Sequence, residues 1–359
     1  MRTFDYMNLP KPLFERAVGD LNALLHQDKG KMGMLERLHP AELASLEARA
    51  HLDNVAASLA IEGMSVPERR LAELVDAEAH AWPQLDVKLV AELDEVESQA
   101  YGFSHALRSI ERDAGALELS PARAVGFFED VFCKRSFGRR SRYRQKDYVY
   151  TQVDGHMQAV SVSPVVAFET PLVFGSACDS LADAFDARHC SPLILAAVFM
   201  VDMLCIRPFD EGNGRIMRLM SMLLLQKAGF GIFRYQSVDK LVEQDAAAYY
   251  DALNACVEGW DQGRNDYRPF AKYWFEKLHE AYQGLFDHME LRARAPRGKG
   301  ARVRAFVEAA AFPVGKRAIM AANPDISLST VEAVLGELVK EGMVRKVGKG
   351  RATAYEWVR

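Results

Sequence analysis

Hydrophobic residues recur along most of this chain every three or four positions, the interval that lines one face of an α-helix. From Pro40 to Ala60 that interval is kept by Leu43, Leu46, Ala50, Val55 and Leu59. Residues 104–132 predict a pair of helices, divided where Ser120 can cap and Pro121 can begin the second. Further helices are predicted over 176–189, 191–206, 215–228, 238–262 and 268–290. The stretch Ser191–Ile206 is almost wholly apolar, so its helix has no solvent face and belongs in the core. One central segment breaks the period. Between Arg139 and Phe174, β-prone residues such as Tyr148, Tyr150, Val153, Val160, Val162 and Val165 flank Asp154-Gly155, which predicts a hairpin over about 145–166.

Towards the end, Ala295-Pro296-Arg297-Gly298-Lys299-Gly300 reads as a linker. Beyond it the pattern predicts helices at 301–311, 314–322 and 328–341. A basic, glycine-rich turn between two short strands over 342–357 follows. This element order resembles a winged helix.

With 359 residues, 49% hydrophobic and 26% charged, the composition is that of a globular protein of two or three domains. No apolar run is long enough to span a bilayer, and Met1-Arg2-Thr3-Phe4-Asp5 lacks the core of a signal peptide. The cysteines Cys133, Cys178, Cys190, Cys205 and Cys256 show no paired spacing, which predicts reduced thiols and a cytoplasmic protein. Charge is uneven. Residues 292–359 carry 14 Lys and Arg against 6 Asp and Glu, a net of +8, whereas the rest of the chain nets −12. That asymmetry predicts an anionic partner for the C-terminal module, either DNA or an acidic protein surface. The third helix of the module has one basic and three acidic residues over 328–341, which argues against base reading by that helix.

The candidate chemistry sits directly after the apolar helix, in Arg207-Pro208-Phe209-Asp210-Glu211-Gly212-Asn213-Gly214-Arg215-Ile216-Met217-Arg218. Gly212 and Gly214 admit conformations other residues avoid. The N–H groups at a helix start, with Arg215 and Arg218 three apart on one face, make an anion site. Glu211 beside the turn suits a Mg²⁺ that bridges phosphates. These features describe a polyphosphate cradle.

The same string resembles the Fic signature, His-Pro-Phe-x-(Asp/Glu)-Gly-Asn-Gly-Arg-x-x-Arg, at every position but the first, where Arg207 replaces the catalytic histidine. The resemblance implies a mainly α fold: a Fic-type helical bundle with a β-hairpin flap, here followed by the winged helix. The implied organisation is an N-terminal helical region at 1–100, a Fic core at 101–290, a linker at 291–300 and a winged-helix domain at 301–359. The implied activity is transfer of AMP from ATP, with Mg²⁺, to a hydroxyl of a target protein. ATP would be held by Gly212, Asn213, Gly214, Arg215, Arg218 and Tyr250, with the metal on Glu211 and the target backbone along the flap at Val160, Ser161 and Val162. Ser58-Leu59-Ala60-Ile61-Glu62-Gly63 resembles the family's inhibitory motif and implies that Ser58, Glu62 and Gly63 hold a carboxylate against Arg218, in place of the γ-phosphate. Arg207 departs in a way that matters, because arginine stays protonated and cannot accept the hydroxyl proton. Catalytic silence, with nucleotide or DNA binding alone, is the alternative. The target and the oligomeric state, a homodimer included, stay open.

Overall fold

The computed structural model describes residues 2–136, 143–147, 150–153, 159–162, 165–294, 298–310, 312–323, 325–348, 350 and 353–358. They divide into two compact units, Met1–Gly284 and Leu285–Arg359.

The first unit is built from helices. In its N-terminal part these are α1 (Arg16–Leu38), α2 (Pro40–Ala60), α3 (Glu68–Ala81), α4 (Val87–Glu92), α5 (Glu95–Asp113), α6 (Pro121–Val131) and α7 (Cys133–Ser136). The strands β1 (Tyr150–Val153) and β2 (Ala159–Val162) follow. Then come α8 (Thr170–Asp186), α9 (Pro192–Ile206), α10 (Asn213–Lys227), α11 (Val238–Gln244), α12 (Ala246–Val257) and α13 (Arg268–Arg294). The last of these runs across the division between the units.

Local chemistry explains several boundaries. Ser120 caps α6 by accepting from the Arg123 N–H at 3.2 Å, with Pro121 in the first turn, as the sequence predicts. The helix preceding it starts earlier than 104. Asp94 accepts from the Glu97 N–H while Glu97 reaches back to the Asp94 N–H, a reciprocal cap that fixes the start of α5 at Glu95. The helix predicted over 238–262 breaks at Asp245, which ends α11 and precedes α12. The helix predicted from 176 begins at Thr170. α9 lies at the centre, and every residue from Leu193 to Ile206 is buried.

The flap strands β1 and β2 are antiparallel, with Tyr150 opposite Val162 and Val153 opposite Ala159. β2 lies beside α12. The Asp154-Gly155 turn falls outside the described residues.

The second unit holds α14 (Lys299–Ala309), α15 (Lys316–Ala322) and α16 (Leu328–Lys340), then β3 (Val344–Val347) antiparallel to β4 (Ala354–Trp357). Val303, Val307, Ile319, Leu335 and Tyr355 meet in its core. Ser327 caps α16, and Val314 bridges to Tyr355, so the short strand pair is tied to the segment before α15. Part of the basic excess is bound internally: Arg302 to Asp325, Lys316 to Glu332 and Arg345 to Glu356, at 2.5–2.7 Å.

Candidate functional site

α9 ends at Arg207, whose backbone is left-handed at φ +47° and ψ 71°. A residue other than glycine stores about 1–2 kcal/mol in that conformation, so the surroundings must hold it. The Arg207 N–H donates to Met203 O at 2.9 Å. Its carbonyl accepts from Arg144 Nε at 2.8 Å, and the Arg144 N–H donates to Pro208 O at 2.9 Å. The Arg144 side chain is fully buried and also donates to Thr170 Oγ1 at 3.0 Å. Arg144 therefore joins the segment entering the flap, the start of α8 and the turn after α9.

The loop closes on itself. Phe209 N–H donates to Asn213 Oδ1 at 3.0 Å, and Asn213 Nδ2 donates to Phe209 O at 2.8 Å. The Asn213 side chain is thus spent on the loop. The part in an anion nest that the sequence assigns to Asn213 falls to its backbone N–H at the start of α10. Phe209 anchors the loop by stacking on Phe128, with ring centroids 4.6 Å apart. Gly212 has φ +68°, and a Cβ on it would lie 2.5 Å from the Phe132 ring, so both conformation and space demand glycine. The chain then enters α10, whose first intrahelical bond runs from the Ile216 N–H to Gly212 O. The N–H groups of Asn213, Gly214 and Arg215 are left at the helix start with no intrahelical acceptor.

A carboxylate already stands there. Helix α2 finishes at Ala60, and Gly63, at φ +76°, turns the chain. A helix C-cap and a device for aiming Glu62 are therefore one structure. Glu62 Oε2 lies 2.9 Å from Arg215 Nε, and Oε1 lies 3.5 Å from Arg218 Nη2. The sequence reading puts Glu62 nearest to Arg218; the closer contact is with Arg215. Oε1 would stand only 2.9 Å from a Cβ on Gly214, so the carboxylate rests directly over the first turn of α10. Oε1 is buried and has no hydrogen-bond partner among the described residues.

Both arginines are buried and held from behind. Arg215 donates from Nη1 to Gln99 Oε1 at 2.6 Å and lies over the Phe132 ring at 5.0 Å. Arg218 donates from Nε to Asp239 Oδ2 at 3.1 Å, and from Nη2 to Ser58 O and Oγ at 3.0 and 2.9 Å. Burial drives the Asp239 carboxyl upward against the pull of Arg218, whereas the Arg218 guanidinium is raised because Asp239 and Glu62 outweigh its own burial.

Tyr250 is buried and donates from its hydroxyl to Ile61 O at 3.0 Å, so it pins the end of α2. Ile61, Glu62, Arg207, Gly214, Arg218 and Tyr250 border a cavity of about 20 Å³. This is room for about one water. The end of α2 lies over the cradle, with Glu62 against both arginines.

Glu211 is about 40% exposed, and its Oε1 lies 2.5 Å from Arg135 Nη1. No group of three or more metal-ligating side chains exists among the described residues. A lone, accessible carboxylate fits a Mg²⁺ that brings most of its ligands as phosphate and water, and does not fit an all-protein metal cage. His189 is exposed in the turn between α8 and α9, and His156 is outside the described residues, as are the side chains of Val160, Ser161 and Val162. Sequence reasoning missed Gln99, Phe132, Arg135, Arg144 and Asp239. Asp239 follows the α11 cap Ser237 and reads as an ordinary first-turn acid. No local signal marks the others.

Residues 137–225 match the model of the Fic/DOC family, a span that includes the flap and the whole signature loop. No curated protein matches the chain. A Fic family protein from Desulfovibrio desulfuricans G20 is similar in structure over 98% of both chains, with 18% identity and a TM-score of 0.58. Fic-1 (residues 134–508) from C. elegans is similar over 79% of this chain and 76% of that one, with 19% identity and a TM-score of 0.58. A Fic domain containing signaling protein from Bacteroides thetaiotaomicron VPI-5482 is similar over 73% and 94%, with 17% identity and a TM-score of 0.55. At these identities the likeness is one of fold: a mainly helical Fic fold, within which residues 137–225 match the Fic/DOC model.

Proposed function

We propose that the loop 207–218 is a nucleotide site of the Fic type, held shut by Glu62 and deprived by Arg207 of the base that AMP transfer needs. The observation that carries this reading is the Glu62 carboxylate between Arg215 and Arg218, over the first turn of α10. A helix N-terminus with two buried guanidiniums is built for an anion. Glu62 is the protein's own anion in that place, so a nucleotide phosphate has to displace it.

In the proposed reaction a target hydroxyl oxygen forms a bond to the α-phosphorus of ATP, and the bond to the pyrophosphate oxygen breaks. The hydroxyl proton must go to a base. Arg207 occupies the signature's base position and stays protonated at working pH. It can hold the α-phosphate and offset charge there, but it cannot take the proton. Glu211 would hold Mg²⁺ against the phosphates, and Mg²⁺ would supply charge neutralisation. The flap at Val160–Val162 would carry the target backbone. DNA or protein contact belongs to the second unit, through Lys340, Lys346 and other cations outside its internal ion pairs.

Labelled ATP tests the reading on three proteins. Wild type should show little self-labelling, Glu62→Gly should bind nucleotide with weak labelling, and Glu62→Gly/Arg207→His should label at a rate about 10²–10⁴-fold higher. Equal labelling of the last two proteins would remove Arg207 as the limit on chemistry. A catalytically silent nucleotide-binding regulator, the second reading, rests on the arginine at the base position and predicts nucleotide binding by Glu62→Gly with no labelling at all.

A further inference from the structure

Arg218 is already committed, and its commitments do not include a phosphate. A guanidinium has five N–H donors. Here Nε serves the Asp239 carboxylate, and Nη2 serves both Ser58 oxygens. Asp239 is fully buried and packs within the protein, so it cannot withdraw when Glu62 does. Glu62 can withdraw, because it sits on the turn after α2 and touches Arg218 only at 3.5 Å.

Arg215 is held differently. Its other polar partner is the neutral amide of Gln99. Once Glu62 leaves, Arg215 keeps an unneutralised charge beside the free N–H groups of α10. Arg218 keeps a charge already offset by Asp239, and of its donors those on Nη1 lie outside these bonds.

We infer that Asp239 sets the specificity of this site: the cradle reads the phosphates of a nucleoside diphosphate and gains little from a third phosphate. The inference rests on the nucleotide reading above, and it departs from the equal use of both arginines that the signature implies. Asp239 is a specificity-determining residue that acts through Arg218. Against the downward pull of its own burial, the Arg218 guanidinium is raised by Asp239 first and Glu62 second, as an engaged pair requires.

The test measures ATP and ADP affinity by calorimetry, both with Mg²⁺. In Glu62→Gly the two dissociation constants should agree within about threefold, and adding Asp239→Asn should tighten ATP at least tenfold while moving ADP less than threefold. A tenfold change corresponds to about 1.4 kcal/mol. Thermal melting of Glu62→Gly/Asp239→Asn checks that it folds. If it does not, Glu62→Gly/Ser58→Ala, which frees one Nη2 donor, should shift the ratio towards ATP in the same direction. A tenfold or greater preference for ATP in Glu62→Gly alone would overturn the inference and leave the nucleotide site standing. Failure of Glu62→Gly to bind either nucleotide would bring down both.

Discussion

The first unit contains two buried acid clusters that look alike on paper and behave differently in space. Asp202, on α9, accepts from the Tyr6 hydroxyl at 2.6 Å, the Trp260 indole N–H at 2.7 Å and the Tyr267 hydroxyl at 2.6 Å, with Arg2 at 3.7 Å. Both its oxygens are engaged, so the N-terminal segment and the residues before α13 are fastened to the central helix. In the cradle, Glu62 engages two arginines with one oxygen left without a hydrogen bond, beside a water-sized cavity. A saturated cluster is a joint, because every change of partner costs a bond. An unsaturated one has something to gain from another ligand.

The difference can be broken first at the joint. Asp202→Ala should cost about 3–5 kcal/mol, since it leaves three buried donors without their acceptor and Arg2 without its ion-pair partner. Chemical denaturation reads this directly, and a loss under about 1 kcal/mol would mean that Asp202 fastens nothing. At the cradle, Glu62→Gly should become ligand-responsive: nucleotide at a hundred times its dissociation constant should stabilise the variant by about 2.7 kcal/mol, with a smaller gain for wild type. Equal thermal shifts in both proteins would place Glu62 outside the competition.

A third acid sharpens the contrast because it is half-buried and forms no ion pair among the described residues. Burial raises the Asp130 carboxyl to about 6, against opposing pulls from His105 and Arg123. The folded protein then binds more protons than the unfolded chain between about pH 4 and 6. Stability from this group is therefore greatest at low pH and is lost as pH rises through about 6. Asp130→Asn should remove that slope and stabilise the protein at pH 7 by about 1–2 kcal/mol, the lower part of what a shift of this size allows. Parallel stability–pH curves for the two proteins would reject it. The smallest effect belongs to Gly214→Ala. Its Cβ would press on Glu62 Oε1 at 2.9 Å and Arg218 Nη1 at 3.3 Å, so nucleotide should bind a few-fold more tightly for a stability cost of about 1 kcal/mol. Weaker binding would mean that the added methyl obstructs the phosphate rather than the glutamate.

The sequence alone determined what depends on neighbours along the chain. Helix periodicity, the Ser120-Pro121 start, the almost wholly apolar α9 and the glycine-rich loop after it were all legible, because burial face, capping and φ > 0 are written within a few residues. The flap strands were legible from β-branched spacing. So was Glu62, but only because a short motif marked it. The tertiary structure decided who meets whom. Gln99 lies 116 residues from Arg215, Ser58 lies 160 from Arg218, and Arg144 reaches the Arg207 carbonyl across 63. Asp239 looks in sequence like any acid in a first helical turn. Its weight comes from being fully buried against Arg218, and periodicity specifies which face is buried without naming the partner it is buried against. That is why a cradle and the glutamate set against it could be read from the chain, while the closer contact of that glutamate with Arg215 and the partners that hold Arg218 from behind could not.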